Sequence, residues 1–119
     1  MSPTHPIEGQ IVLLAGAQAS VTLQRLSALL AEVQRHLAPS RAAYERRFER
    51  LEGAEHVYYL AGLDHWERVG DDLGLSEAET DAVRRAHEAQ FRRDGRRLDR
   101  TEEFETALEI RHPVVIGPP

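Results

Sequence analysis

The side chains with the greatest chemical reach in this sequence are arginines. Arg84, Arg85, Arg92, Arg93, Arg96, Arg97 and Arg100 form a dense basic tract. Guanidinium forks grip phosphate and carboxylate oxygens in pairs, so the chemistry open to this tract is anion or nucleic-acid recognition. Arg85, Arg92 and Arg96 share one helix face by spacing, and with Arg100 they are the candidate contacts. The same residues also have a plain structural explanation. Asp81 and Arg85, and Glu88 and Arg92, are spaced as i,i+4 pairs, and cations near a helix end complement its dipole. That balance favours a solvated helix face.

The histidines offer less. His56, His65, Glu67, His87 and His112 are the residues that could ligate a metal, but no H-x-x-x-H or H-E-x-x-H spacing places two of them on one helix face. His56 and His65 flank an extended segment, and at about 3.3 Å per residue they stand too far apart to share an ion. His87 lies beside Val83 and Phe91, where a packing histidine is the simpler reading. With no cysteine in the chain, thiolate nucleophiles, disulfides and sulfur-ligated zinc are excluded. Neither a metal nor a cofactor is expected.

Acid/base and nucleophilic chemistry find no converging set. Asp64, His65 and Glu67 are the best cluster, yet Asp64 and Glu67 have capping-box spacing that accounts for both carboxylates. Ser76 and Thr101 sit at helix starts, and no G-x-S-x-G elbow is present. The link Leu14 to Ser20 holds the single glycine Gly16 and lacks either nucleotide fingerprint, so it reads as a plain turn from strand to helix.

The elements that must position these residues follow from periodicity. Gln10–Ala15 is a short apolar run closed by Gly16 and reads as a first strand. Leu23, Leu26, Leu30, Val33 and Leu37 recur at helical steps, and Pro39 ends that helix. Ser40 is placed to cap a second helix carrying Tyr44, Phe48 and Leu51, which Gly53 stops. His56–Ala61 reads as a second strand. A short helix starts at Asp64 with Trp66, Val69 and Leu73 on its apolar side, and Gly74 closes it. Ser76 and Glu79 repeat the capping box before a longer helix through Ala82, Val83, Ala86 and Phe91, whose far end Gly95 weakens. Asp99 with Glu102 caps a last helix bearing Phe104, Ala107 and Leu108. Val114–Gly117, preceded by Pro113, reads as an edge strand. The expected fold is α+β: about five helices covering one face of a two- or three-stranded sheet, whose outer face and apolar edge call for a partner.

The two helices around Gly74 resemble a helix-turn-helix, with Val69, Gly70, Leu73, Leu75 and Val83 where the helices would touch. DNA binding through the Asp64–Arg97 pair is therefore the alternative function. Against it, Thr80 stands where a bulkier aliphatic residue usually locks the second helix. Glu77, Glu79 and Asp81 would also meet a polyanion at the recognition end.

At 119 residues, with 41% hydrophobic and 29% charged side chains, the chain reads as one domain, residues 1–119, with flexible ends at 1–6 and 118–119. All 15 basic residues are arginine, against 20 acidic ones and a net charge of -5, a usage that fits a GC-rich genome and a halophile. No apolar run is long enough for a membrane span and the N-terminus has no signal-peptide pattern, so a cytoplasmic setting is expected.

The stretch Leu73–His87, together with Phe104–Arg111 and Val114–Gly117, resembles small uncharacterised proteins of haloarchaea. The resemblance implies a lineage and a cytoplasmic setting, and carries no catalytic residues. A non-enzymatic interaction or regulatory protein, self-associating or binding another protein, ranks first. The helix-turn-helix DNA binder ranks second, and an enzyme third.

Overall fold

A computed structural model describes residues 5–53 and 55–117, and most of the expected flexible ends lie outside that range. His5, inside it, is tied to the Ser27 hydroxyl at 3.0 Å. The fold is α+β. Its elements are α1 (Gly9–Ala19), α2 (Leu23–Leu37), a 3-10 turn (Ala38–Ser40), α3 (Arg41–Arg47), β1 (Glu49–Glu52), β2 (Val57–Ala61), α4 (His65–Leu73), α5 (Glu77–Arg97), α6 (Thr101–Ala107) and β3 (His112–Val115).

The segment expected to be the first strand is α1. Leu13, Leu14, Ala15, Ala17 and Ala19 are good helix formers, and Ile11, Val12, Ala15 and Gly16 fall on one side of the helix and are buried. Gly16 does not end a strand. A side chain there would come within 2.5 Å of the Val21 carbonyl, so the glycine lets the chain fold back tightly after Ser20 adopts the left-handed conformation at φ 60. Glu8 anchors the start of α1: its carboxylate accepts two bonds from Arg97 at 2.8 Å and one from the Gln90 amide at 2.6 Å.

The helix expected to run to Leu51 stops at Arg47. Phe48 turns extended, and β1 pairs antiparallel with β2, Glu49 opposite Leu60 and Glu52 opposite Val57. Here sheet pairing overrides local helix preference, because a lone edge of β2 would leave backbone groups unpaired. β3 joins the other side of β2, giving the order β1-β2-β3. The sheet is covered on both faces rather than one. Tyr58 packs on Phe91 of α5 with ring centroids 5.0 Å apart, while its neighbour Tyr59 points the other way onto Tyr44 of α3 at 6.0 Å.

The free sheet edge is also guarded from within. The outward amide of Val115 donates to His87 Nδ1 at 3.1 Å, and its carbonyl accepts from the Gln34 side chain at 2.8 Å. Pro113, two residues earlier, faces the same way and has no N–H to leave unpaired. On the opposite edge β1 is short and presents Glu49, Arg50 and Glu52.

α5 is the hub, packed against α1, α2, α4, α6 and β3. Its start is a capping box: Ser76 Oγ accepts from the Glu79 amide at 3.1 Å, and Glu79 accepts from the Ser76 amide at 3.0 Å. The other expected caps differ. Ser40 and Asp64 make no side-chain cap bond, and the Asp64 carboxylate pairs with Arg68 at 2.9 Å. Asp99 takes a left-handed φ of 56, which leaves Arg100 as the residue preceding α6.

Candidate functional site

The arginine tract is largely spoken for by carboxylates. Arg85 pairs with Asp81 at 2.7 Å, and Arg92 pairs with Glu105 of α6 at 3.0 Å rather than with Glu88, which Arg84 takes at 2.9 Å. Arg97 is held by Glu8, and Arg100 by Glu103 and the Glu52 carbonyl. Of the four candidate contacts only Arg96, exposed on α5, makes no ion pair among the described residues. A guanidinium already paired must lose that partner before it can grip an incoming phosphate, so the tract works first as the seam joining α5 to α1 and α6.

The helical hairpin is real and tight. α4 closes on Gly74 at φ 67, and Thr80 of α5 seats directly on Gly70, where an added side chain would meet its hydroxyl at 2.3 Å. The small pair Gly70 and Thr80 does the locking that a bulky aliphatic residue would do elsewhere. The first turn of α5 carries Glu77 and Glu79, and Glu79 already pairs with Arg25 at 2.8 Å.

The histidines occupy three separate settings. His56 donates from Nδ1 to Asp94 at 2.7 Å, and the buried Asp94 also accepts from the Tyr58 hydroxyl at 2.6 Å. Burial pushes the Asp94 carboxyl up, but the bonds from His56 and Tyr58 outweigh it and hold it below the ordinary carboxylate value. The bond to Asp94 in turn raises His56. His65 lies in a cleft between α2, α3 and α4, with Nε2 2.7 Å from the Tyr44 hydroxyl, and burial drives its pKa down to about 4. His87 is fully buried against Trp66, ring centroids 4.4 Å apart, and burial lowers it to about 3. Because the Val115 amide donates to Nδ1, the ring proton of His87 sits on Nε2. It is a packing histidine that also seals the sheet edge. Among the described residues no three His, Asp or Glu side chains are placed to hold a metal ion.

His65 at neutral pH is thus an uncharged ring bonded to a tyrosine. Asp64, beside it, is committed to Arg68, and Glu67 is exposed. Neither carboxylate orients the imidazole as a general base would require.

What sequence periodicity missed lies on α1. With Ile11 and Val12 turned inward, Leu13 and Leu14 turn outward and are 53% and 59% exposed. Gln10, Ala17 and Gln18 flank them on the same exposed side. α1 is the one α-helix among the described residues with no charged side chain. The signal was present in the run itself, which continues past Gly16 through Ala17 and Ala19 at helix length, too long for a buried strand of this kind.

A protein-family model described as a domain of unknown function, DUF8048, matches residues 5–118. No curated protein and no solved structure matches the chain.

Proposed function

From the premise that the chain belongs to the DUF8048 family, which carries no assigned activity, we propose that it is a small non-enzymatic interaction or regulatory protein that docks through the outer face of α1. The observation that carries this is the exposure of Leu13 and Leu14 on an uncharged helix, in a chain where 29% of residues are charged. Neighbouring water-facing leucines cost solvation free energy that docking recovers, at roughly 25 cal/mol per Å² buried. Exclusive use of arginine, the acidic excess and the resemblance of Leu73–His87 support a halophilic archaeal cytoplasm as the setting. No helix among the described residues is long and apolar enough to cross a membrane.

The test is a photo-crosslinking residue placed at Ala17 in the native host. An adduct with protein that disappears when Leu13 and Leu14 are both replaced by glutamate supports the reading. Crosslinking equal to that from Glu109, which lies in the turn after α6, or none at all, defeats it.

DNA binding through the Asp64–Arg97 pair stands second, supported by the close seating of Thr80 on Gly70. A titration of duplex DNA against salt decides it, since phosphate contacts give affinity that falls steeply with salt and their absence gives none.

A further inference from the structure

We infer that the groove between α4 and α5 is a second docking site, built to take a peptide segment of a partner protein that carries an arginine or lysine beside apolar residues. The inference does not depend on α1.

Two rows at helical spacing form the walls. Leu63, Glu67 and Asp71 follow one another along the α4 side, and Glu77, Asp81 and Arg84 do so on the facing side of α5. The groove encloses about 400 Å³, with Trp66, Thr80 and Leu75 between the walls. That is room for one or two side chains.

Where α5 meets α1, α2 and α6, carboxylates are answered by arginine. Glu8 holds Arg97, Glu79 holds Arg25 and Glu105 holds Arg92. In the groove the balance is reversed. Glu67, Asp71 and Glu77 are exposed and make no ion pair among the described residues, and the one guanidinium lining the groove, that of Arg84, is already taken by Asp81 and Glu88. Glu67 and Asp71 are like charges at i,i+4, with Glu77 across from them, and such neighbours cost helix stability. A cation entering the groove relieves that repulsion.

Chemistry narrows the occupant. Duplex DNA is repelled by these walls, and a metal ion finds no set of three ligands among the described residues. A polyamine answers the carboxylates but has no hydrogen-bond acceptor. Trp66, 2% exposed, lines the groove with an indole N–H that is shielded from water and has no acceptor among the described residues. A peptide brings a cationic side chain and backbone carbonyls together. The methylene stem of that side chain lies along Leu63, 64% exposed, and half-buried Leu75, while its charged head reaches the carboxylates. Binding through exposed charges in a groove this small is weak and falls with salt.

Trp66 is the single tryptophan of the chain, so it reports on the groove directly. The probe is the blocked peptide acetyl-Leu-Arg-Leu-Arg-amide, titrated from about 10 μM to about 3 mM into the full chain, with indole emission and the indole N–H resonance as readouts. Both should move saturably, and added potassium chloride should weaken the binding. The same peptide with citrulline in place of arginine keeps the shape without the charge and should bind about fivefold more weakly or worse. Glu67→Gln with Asp71→Asn should weaken the arginine peptide to a similar degree, and Glu77→Gln, read alone should the α4 pair disturb folding, about twofold or more. An indole signal that stays still up to about 3 mM overturns the site, as does binding that survives these variants or the loss of peptide charge. Spermidine that shifts the indole N–H resonance as far as the peptide does overturns a peptide as the occupant. The α1 reading stands or falls separately, on the Ala17 crosslink.

Discussion

His87 and His56 are two histidines that the fold treats in opposite ways, and the pH dependence of stability follows. The buried rings of His87 and His65 stay neutral down to about 3 and about 4. An unfolded chain protonates them near the ordinary 6.5. Their contribution is therefore complete above pH 6.5 and is lost as pH falls below it, at about 1.4 kcal/mol per pH unit for each ring. His56, raised by its bond to Asp94, contributes fully below 6.5 and loses that contribution as pH rises through its folded value. Thermal melts across pH should show a stability maximum near 6.5 with a steeper acid side. A flat profile between pH 5 and 7 would mean that these rings are solvated. Asp94→Ala leaves the buried Tyr58 hydroxyl and His56 without their acceptor and should cost about 3 kcal/mol in urea unfolding.

Two capping motifs that look alike in sequence behave differently in the folded chain, so substitution should separate them. Ser76 makes its cap bond, and Ser76→Ala should cost about 1 kcal/mol. Asp64 makes none, and Asp64→Ala should stay within about 0.5 kcal/mol, the value of its exposed pair with Arg68. Gly95 supplies a third contrast. α5 runs on through it to Arg97 because the ring of Phe104 rests on that glycine, where an added side chain would stand 2.7 Å away. Gly95→Ala gains helix propensity yet should destabilise by about 1–2 kcal/mol through overpacking, measured by denaturant midpoint.

At the scale of the whole molecule, arginine–carboxylate pairs stitch α5 to its neighbours, while α1 lies against it with an apolar outer face. Leu13 and Leu14 are over half exposed, so replacing both with glutamate should change the stability of the dilute chain by about 1 kcal/mol or less, read from its urea midpoint. A large loss of stability in the dilute variant would instead assign these leucines to the core.

Sequence alone determined what rests on local rules. The period of Leu23–Leu37, the capping box at Ser76, the glycine closing α4, the aromatic strand Val57–Ala61 and the edge position of Pro113 each depend on a few neighbouring residues, and all are found in the fold. The packing role of His87 was legible for the same reason. Tertiary structure decided the rest. Cut at Gly16, the run Gln10–Ala15 fits a strand as well as a helix; its continuation through Ala19 favours the helix, but which of its leucines meet water is set by how α1 packs on α5 and α2. Phe48 left the helical pattern because β2 needed a partner. Asp94 met His56 and Tyr58, and Tyr44 met His65, through chain separations that no local period records. Arg92 chose Glu105 over Glu88 because α6 folds back beside it. Which face of α1 meets water depends on where the rest of the core lies, and the candidate docking surface is therefore a property of the assembled molecule.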